Sequence, residues 1–441
     1  FGFGLRRRQL LGTAAAAIGA PMIMRRSARG ADPKRIVFVS EESNPKAQAV
    51  YDRINAEFTK ETGITVTMEY PGFRNIAQRV ATLIAAGTPA EIVWYGAGQA
   101  MDVALQGQLA DVDDLVAELK IPEGQQLVVG GHNRSIPTSQ QFTYAWYRSD
   151  LYAARGLAPY ETWDDYLAAV TALNDPPSIW GNIVPSTNQG ASHILLETMF
   201  RKNDVHWFAF DAAKDAYAVA LDQGQNLARA VETLDFLAEA HARSPEASTY
   251  SWGELMSEYY TGKVANSYYV GARLLEQTQA NNPDIAKVTR PISLPKRTND
   301  KYYLSLQGFH LGKEANVDGA KQYVRFFMKH PGYVDWLHAV PLHIIPADRA
   351  VLRSEAYLRN DVIQARMDVL EFLDSIWGLG VPPYYWDGPK LNPLVGLFQN
   401  DSLGGWMMAE RNIRKRPAEA VVQEAAETIR KKMAQLERRR G

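Results

Sequence analysis

Few residues in this 441-residue chain are spaced for covalent chemistry. Cysteine is absent, which removes disulfides, thiol catalysis and Cys-ligated zinc. Two acid pairs, Asp113-Asp114 and Asp164-Asp165, are of the residue type that hydrolyses glycosidic bonds. Each pair is adjacent in sequence at an expected helix start, where Asp favours the positive end of the helix dipole, so capping is the better reading. His338 and His343 are five apart around Pro341, unlike the i, i+4 pair of a helical zinc site. GAGQAM at 96–101 begins like a dinucleotide fingerprint, but Met101 stands in place of its third glycine. No Walker A or G-x-S-x-G sequence occurs. No catalytic residue, metal ligand or cofactor is expected.

A residue that binds rather than reacts needs an element to aim it. Ile36 to Val39 reads as a buried strand, and Ala47, Tyr51, Ile54 and Phe58 then fall on one helix face that stops at Gly63. Ile64 to Glu69 alternates like a strand. Ile76, Val80 and Leu83 define the next helix, stopped by Gly87, and Ile92 to Tyr95 is strand-like again. This β-α-β-α-β rhythm predicts a parallel sheet with helices on both faces. A second block begins near residue 150, where Thr162 and Asp165 form a capping box ahead of a helix. Val264-Ala265 reads as a strand, Asn316 as a helix cap, and 418–436 as a charged amphipathic helix. Length predicts about three domains or two large ones. The composition, 46% hydrophobic and 22% charged, is that of a globular protein, without disorder or coiled coil.

Several segments in order resemble the extracellular solute-binding proteins of ABC importers, in the maltose-binding-like family 1. They are LIAAGTPAEIVWYG (83–96), ALQGQLADVDDL (104–115), YAWYRSDLYAARGLAPYETWDDYLAAV (144–170), YYTGKVANSYYVGARL (259–274) and LSLQGFHLGKEANVDGAKQYVRFFM (304–328). Glu91 replaces the family's Asp, and Arg148 stands where Asn is common. The resemblance implies an α/β, two-lobed periplasmic-binding-protein fold, type II-like, with a hinge and an interlobe cleft. It implies an N-terminal lobe of 31–145 plus 309–360 and a C-terminal lobe of 146–308 plus 361–441. It also implies partners: a carbohydrate ligand and the membrane subunits of an ABC permease.

Sugar recognition needs flat aromatic faces for C–H surfaces and fixed polar groups for hydroxyls. Ten Trp, 21 Tyr and 15 Phe supply the first. Trp94 and Tyr95 end a strand, where open α/β sheets bind ligands. Arg74 opens a helix, Asn188 lies in the polar loop PSTNQG, Trp252 precedes a helix, and Trp377 sits in the Gly-rich IWGLGVPPYYWDG. The resemblance adds Glu42 and Asn44 as a first ligand loop, and Gln141, Tyr144 and Trp146 at the first hinge. It further adds Tyr268, Tyr269, Gly271 and Arg273 after the second-lobe strand, and Gln307 and Gly308 at the return to the first lobe. An anionic ligand held by Arg74, Arg273 and His193 is the alternative on the same fold. A secreted carbohydrate-active enzyme is the remote one.

Residues 1–30 read as an export signal: Arg6 to Arg8, then a 15-residue apolar run from Leu10 to Met24, then Ala28 and Gly30 as small residues for cleavage after Gly30. Arg7-Arg8-Gln9-Leu10-Leu11 resembles a twin-arginine signal. The run is shorter than the ~20 residues of a membrane span. Without this segment 42 Lys and Arg face 49 Asp and Glu, turning the formal charge of −1 into −7. The expectation is a freely diffusing periplasmic monomer with no lipid-modified Cys. The charge balance gives no support for nucleic-acid binding.

Overall fold

The computed structural model describes residues 32–73, 75–246, 250–399 and 402–440. The expected export signal and Arg74 lie outside them.

Strand β1 (Arg35–Ser40) leads into a helix at Pro45–Thr62. Asn44 starts that helix by accepting the Lys46 N–H, and Gly63 ends it at φ 74°, where a side chain would be strained. Strand β2 (Thr65–Glu69), the helix Ile76–Ala85 and strand β3 (Ile92–Gly96) complete the expected rhythm. Strands β2 and β3 both pair with β1 in parallel. Helices Val317–Lys329 and Gly332–Leu337 close this layer. Asn316 caps the first of them by accepting the Gly319 N–H. Phe38 is the centre of its core, edge-on to Tyr51, Phe309 and Tyr323 at 5.2–5.7 Å. Such pairs add ~0.5–1.5 kcal/mol each beyond area burial.

Strand β4 (Ile136–Arg148) is the longest and changes partners halfway. Strands β5 (Asn266–Val270), β6 (Thr289–Ile292) and β7 (Tyr302–Leu311) surround it. Residues 136–142 of β4 pair with β7, whereas 143–148 pair with β5 and β6. At its other end β7 runs antiparallel to β3. One mixed sheet, in the order β6-β4-β7-β3-β1-β2, thus continues from one helix-covered layer into another. The second layer is built on the helices Gly190–Lys202, Gly224–His241 and Leu403–Asn412.

Thr162 accepts the Asp165 N–H while Asp165 accepts the Thr162 N–H, the expected capping box. The strand expected at Val264-Ala265 begins instead at Asn266; Val264 makes only an isolated bridge to Trp180. Asp113 and Asp114 lie in the first turn of a helix, as do Asp164 and Asp165. Asp114 pairs with Lys321 at 2.6 Å. Among the described residues no helix is long and apolar enough to cross a membrane.

Candidate ligand cleft

A cleft of about 690 Å³ opens where β4 and β7 pass from one layer to the other. The loop after β1 supplies Glu41, Glu42, Ser43 and Asn44, and the loop ahead of helix Ile76–Ala85 supplies Phe73 and Asn75. The floor holds Trp94, Gln141, Ser305 and Gln307, and the far wall holds Ile194, Trp252, Tyr269 and Arg273. His343 also lines the cleft.

The strand pleat sorts these residues, because successive side chains point to opposite faces of a sheet. In β3, Trp94 lines the cleft while Tyr95 turns away and stacks edge-on with His310 at 5.0 Å. In β5, Tyr269 lines it, whereas Tyr268 is buried behind the sheet with its hydroxyl on the Ala191 carbonyl. Strand β4 presents Gln141. Tyr144 and Trp146 have the opposite parity and are fully buried, 5.1 Å from each other, with Phe372 5.1 Å from Tyr144.

Two predicted glycines shape the cleft without lining it. Gly271 has φ 64°, and a Cβ there would lie 2.6 Å from His343 Nδ1. At Gly308 a Cβ would come within 2.3 Å of the Ile136 carbonyl oxygen, at the register shift between β7 and β4. Trp377 sits 6.3 Å from the Phe142 ring, outside the lining. Asn188 lines a different groove, with Ser186, Gln189 and Arg414. His193 is buried too, its Nδ1 accepting the Gly404 N–H at 3.0 Å.

The polar floor has a direction. Gln307 Nε2 donates to Gln141 Oε1 at 2.9 Å, and Gln141 Nε2 donates to His343 Nε2 at 3.0 Å. Accepting at Nε2 leaves the imidazole proton on Nδ1. Burial, and then the charge of Arg273, holds His343 well below the usual imidazole range, so it stays neutral. Gln307 Oε1 is buried with no hydrogen-bond partner among the described residues. Trp94 Nε1 is committed to Thr138 Oγ1 at 2.8 Å, which fixes its ring. The ring of Trp252 stands edge-on to Tyr269 at 5.1 Å. Across the opening, Arg273 Nη2 meets Glu42 Oε2 at 2.9 Å, and Nη1 lies 3.6 Å from Glu276 Oε2.

Sequence reasoning did not single out Phe73, Asn75, Ile194, Ser305 or His343 as lining residues. Ser305 had a signal in its parity with Gln307, two residues on in the same strand. The contact of His343 with Gln141 joins residues 202 positions apart and leaves no local trace.

Residues 42–333 match the family described as bacterial extracellular solute-binding protein. The chain belongs to that family. This solute-binding protein is 22% identical over 344 residues to a putative ABC transporter periplasmic-binding protein, YcjN, of Escherichia coli K12, covering 75% of this chain and 77% of the relative. Among solved structures, a sugar transporter protein of Arthrobacter chlorophenolicus with bound laminaribiose superposes with a TM-score of 0.75 at 14% identity, covering 90% and 99% of the two chains. An Agrobacterium radiobacter solute-binding protein in complex with ribitol gives 0.72 at 15% identity, covering 91% and 100%. Maltose-bound MalE3 of Thermotoga maritima gives 0.71 at 14% identity, covering 90% and 99%. The solute-binding protein therefore has the two-lobed α/β fold expected from sequence, and its family consists of binding proteins.

Proposed function

We propose that this solute-binding protein serves an ABC importer in a periplasm, taking up a sugar, oligosaccharide or sugar derivative in the cleft and delivering it to the permease. The lobes are 31–145 plus 309–360 and 146–308 plus 361–441, with the hinge where β4 and β7 cross. The observation that carries the reading is the cleft itself. Aromatic rings of Phe73, Trp94, Trp252 and Tyr269 border it together with the amides of Gln141, Gln307, Asn44 and Asn75. Rings cover the C–H face of a sugar, and amides satisfy its hydroxyls as both donors and acceptors. Its ~690 Å³ is room for one to a few sugar rings. The laminaribiose and ribitol in related structures support the same ligand class. Lobe closure about the hinge then presents the loaded form to the membrane subunits.

Titration calorimetry with a panel of mono- and oligosaccharides and sugar alcohols tests the reading. At least one member binds with a micromolar or tighter Kd; no heat from any of them would overturn it.

A further inference from the structure

Arg273 is the one guanidinium among the described lining residues, and it is already held. Its Nη2 is on Glu42 and its Nη1 beside Glu276. An anionic solute would have to displace a carboxylate to reach it. Glu41 is in the reverse position. It lines the cleft, and among the described residues its carboxyl has no hydrogen bond or ion pair. Its Oε2 is shut off from water as well. A buried polar atom with no partner costs ~1–3 kcal/mol, and more if charged. Trp94, Trp252, Tyr269 and Phe73 border the same space, and aromatic faces attract cations.

We propose, resting on the sugar reading above, that the solute carries a protonated amine, as an amino sugar or aminated polyol does, and that Glu41 is the carboxylate that pairs with it. The ammonium supplies both the donor and the charge that Glu41 lacks. Burial, and then the charge of Glu42, raises the Glu41 carboxyl to about 8, so it is protonated at neutral pH. The titratable groups that act on it are Glu42 in its own loop and Tyr95 from β3, while Arg273 and neutral His343 line the same cleft. On binding, the carboxylic acid gives its proton to the buffer, and the carboxylate that forms pairs with the ligand's ammonium.

The test is calorimetry with sets that share one ring: glucosamine, glucose and glucuronate, the galactose set, and diglucosamine against cellobiose. The amine member binds at least about tenfold tighter than its neutral partner. Runs near pH 6.5, in buffers of different ionisation enthalpy, show about one proton released per amine bound and none for the neutral sugar. Glu41→Gln, with its fold checked by circular dichroism, binds the amine no tighter than its neutral partner and releases no proton. A neutral or uronate member binding tightest, or an amine bound without proton release, would overturn the inference alone. Silence from every saccharide would overturn the sugar reading along with it.

Discussion

Glu42 and Arg273 are 231 residues apart in sequence and 2.9 Å apart across the cleft. Glu42 stands on the loop after β1, and Arg273 opens the helix that follows β5. Their side chains are 9% and 24% exposed, so water screens the pair only partly. The pair ties the two walls together. A solute must fit beneath it or take its place.

Arg273→Ala removes that tie. Small-angle scattering of the free protein should show a larger radius of gyration. The tightest-binding saccharide should lose about tenfold in affinity, since Arg273 also borders the ligand space. A double-mutant cycle with Glu42→Gln should give a coupling of ~1–3 kcal/mol in urea unfolding. Unchanged scattering with zero coupling would mean that the contact bears no load.

A second ion pair lies where no ligand can use it. Glu197 and Arg201, one helical turn apart, are each 1% exposed. Trp207 Nε1 donates to Glu197, and the Arg201 guanidinium lies 4.9 Å from the Tyr303 ring and 5.2 Å from Trp386. Replacing one partner strands a buried charge, so Arg201→Met should cost ~3–5 kcal/mol in chemical denaturation. The double change Glu197→Leu with Arg201→Met should cost far less than either change alone. A single change costing under ~1 kcal/mol would contradict this account.

The parts of the fold legible in the sequence were those decided locally. Gly63 stops a helix because only its own backbone angle matters, and Thr162 with Asp165 forms a box within one turn. Strand ends were less legible, since pairing partners set them: β5 starts at Asn266, two residues late, where contact with Tyr147 of β4 begins. For the cleft, several of the loops expected from sequence border it, the Asn188 loop and the Trp377 stretch do not, and the faces were not legible. Tyr268 and Tyr269 look alike as letters, and only the pleat, once β5 is in register with β4, sends one behind the sheet. Tyr144 and Trp146 share the parity of Phe142 rather than of Gln141, so their apolar bulk went to the core. Phe73 and His343 were missed because folding alone brings them to the cleft.

Stability should depend on pH through Glu41. Its folded carboxyl is raised to about 8 from the ordinary 4.5, so between those values the folded state holds a proton that the unfolded state has lost. Its contribution is therefore fully present below pH 4.5 and is lost as pH rises through 8. Glu41→Gln cannot titrate. In parallel urea titrations from pH 4.5 to 8, the variant should gain stability relative to the parent as pH rises, by up to a few kcal/mol. A constant difference across that window would show that Glu41 is ionised in the folded protein.

Phe73 is 52% exposed, the most open of the three exposed large apolar side chains among the described residues, and it lies at the cleft rim. So exposed a ring contributes little to folding, and Phe73→Ala should change stability by less than ~0.5 kcal/mol. On the sugar reading proposed above, its face would cover an outer ring of a longer ligand rather than a ring at the Gln141–Gln307 floor. Alanine at 73 should therefore weaken binding of an oligosaccharide by about 1 kcal/mol, roughly fivefold, and leave the matching monosaccharide nearly unchanged. Trp252→Phe is the control on the deeper wall and should weaken both ligands alike. Equal losses for the two ligands in Phe73→Ala would place the first sugar ring at the rim instead of the floor.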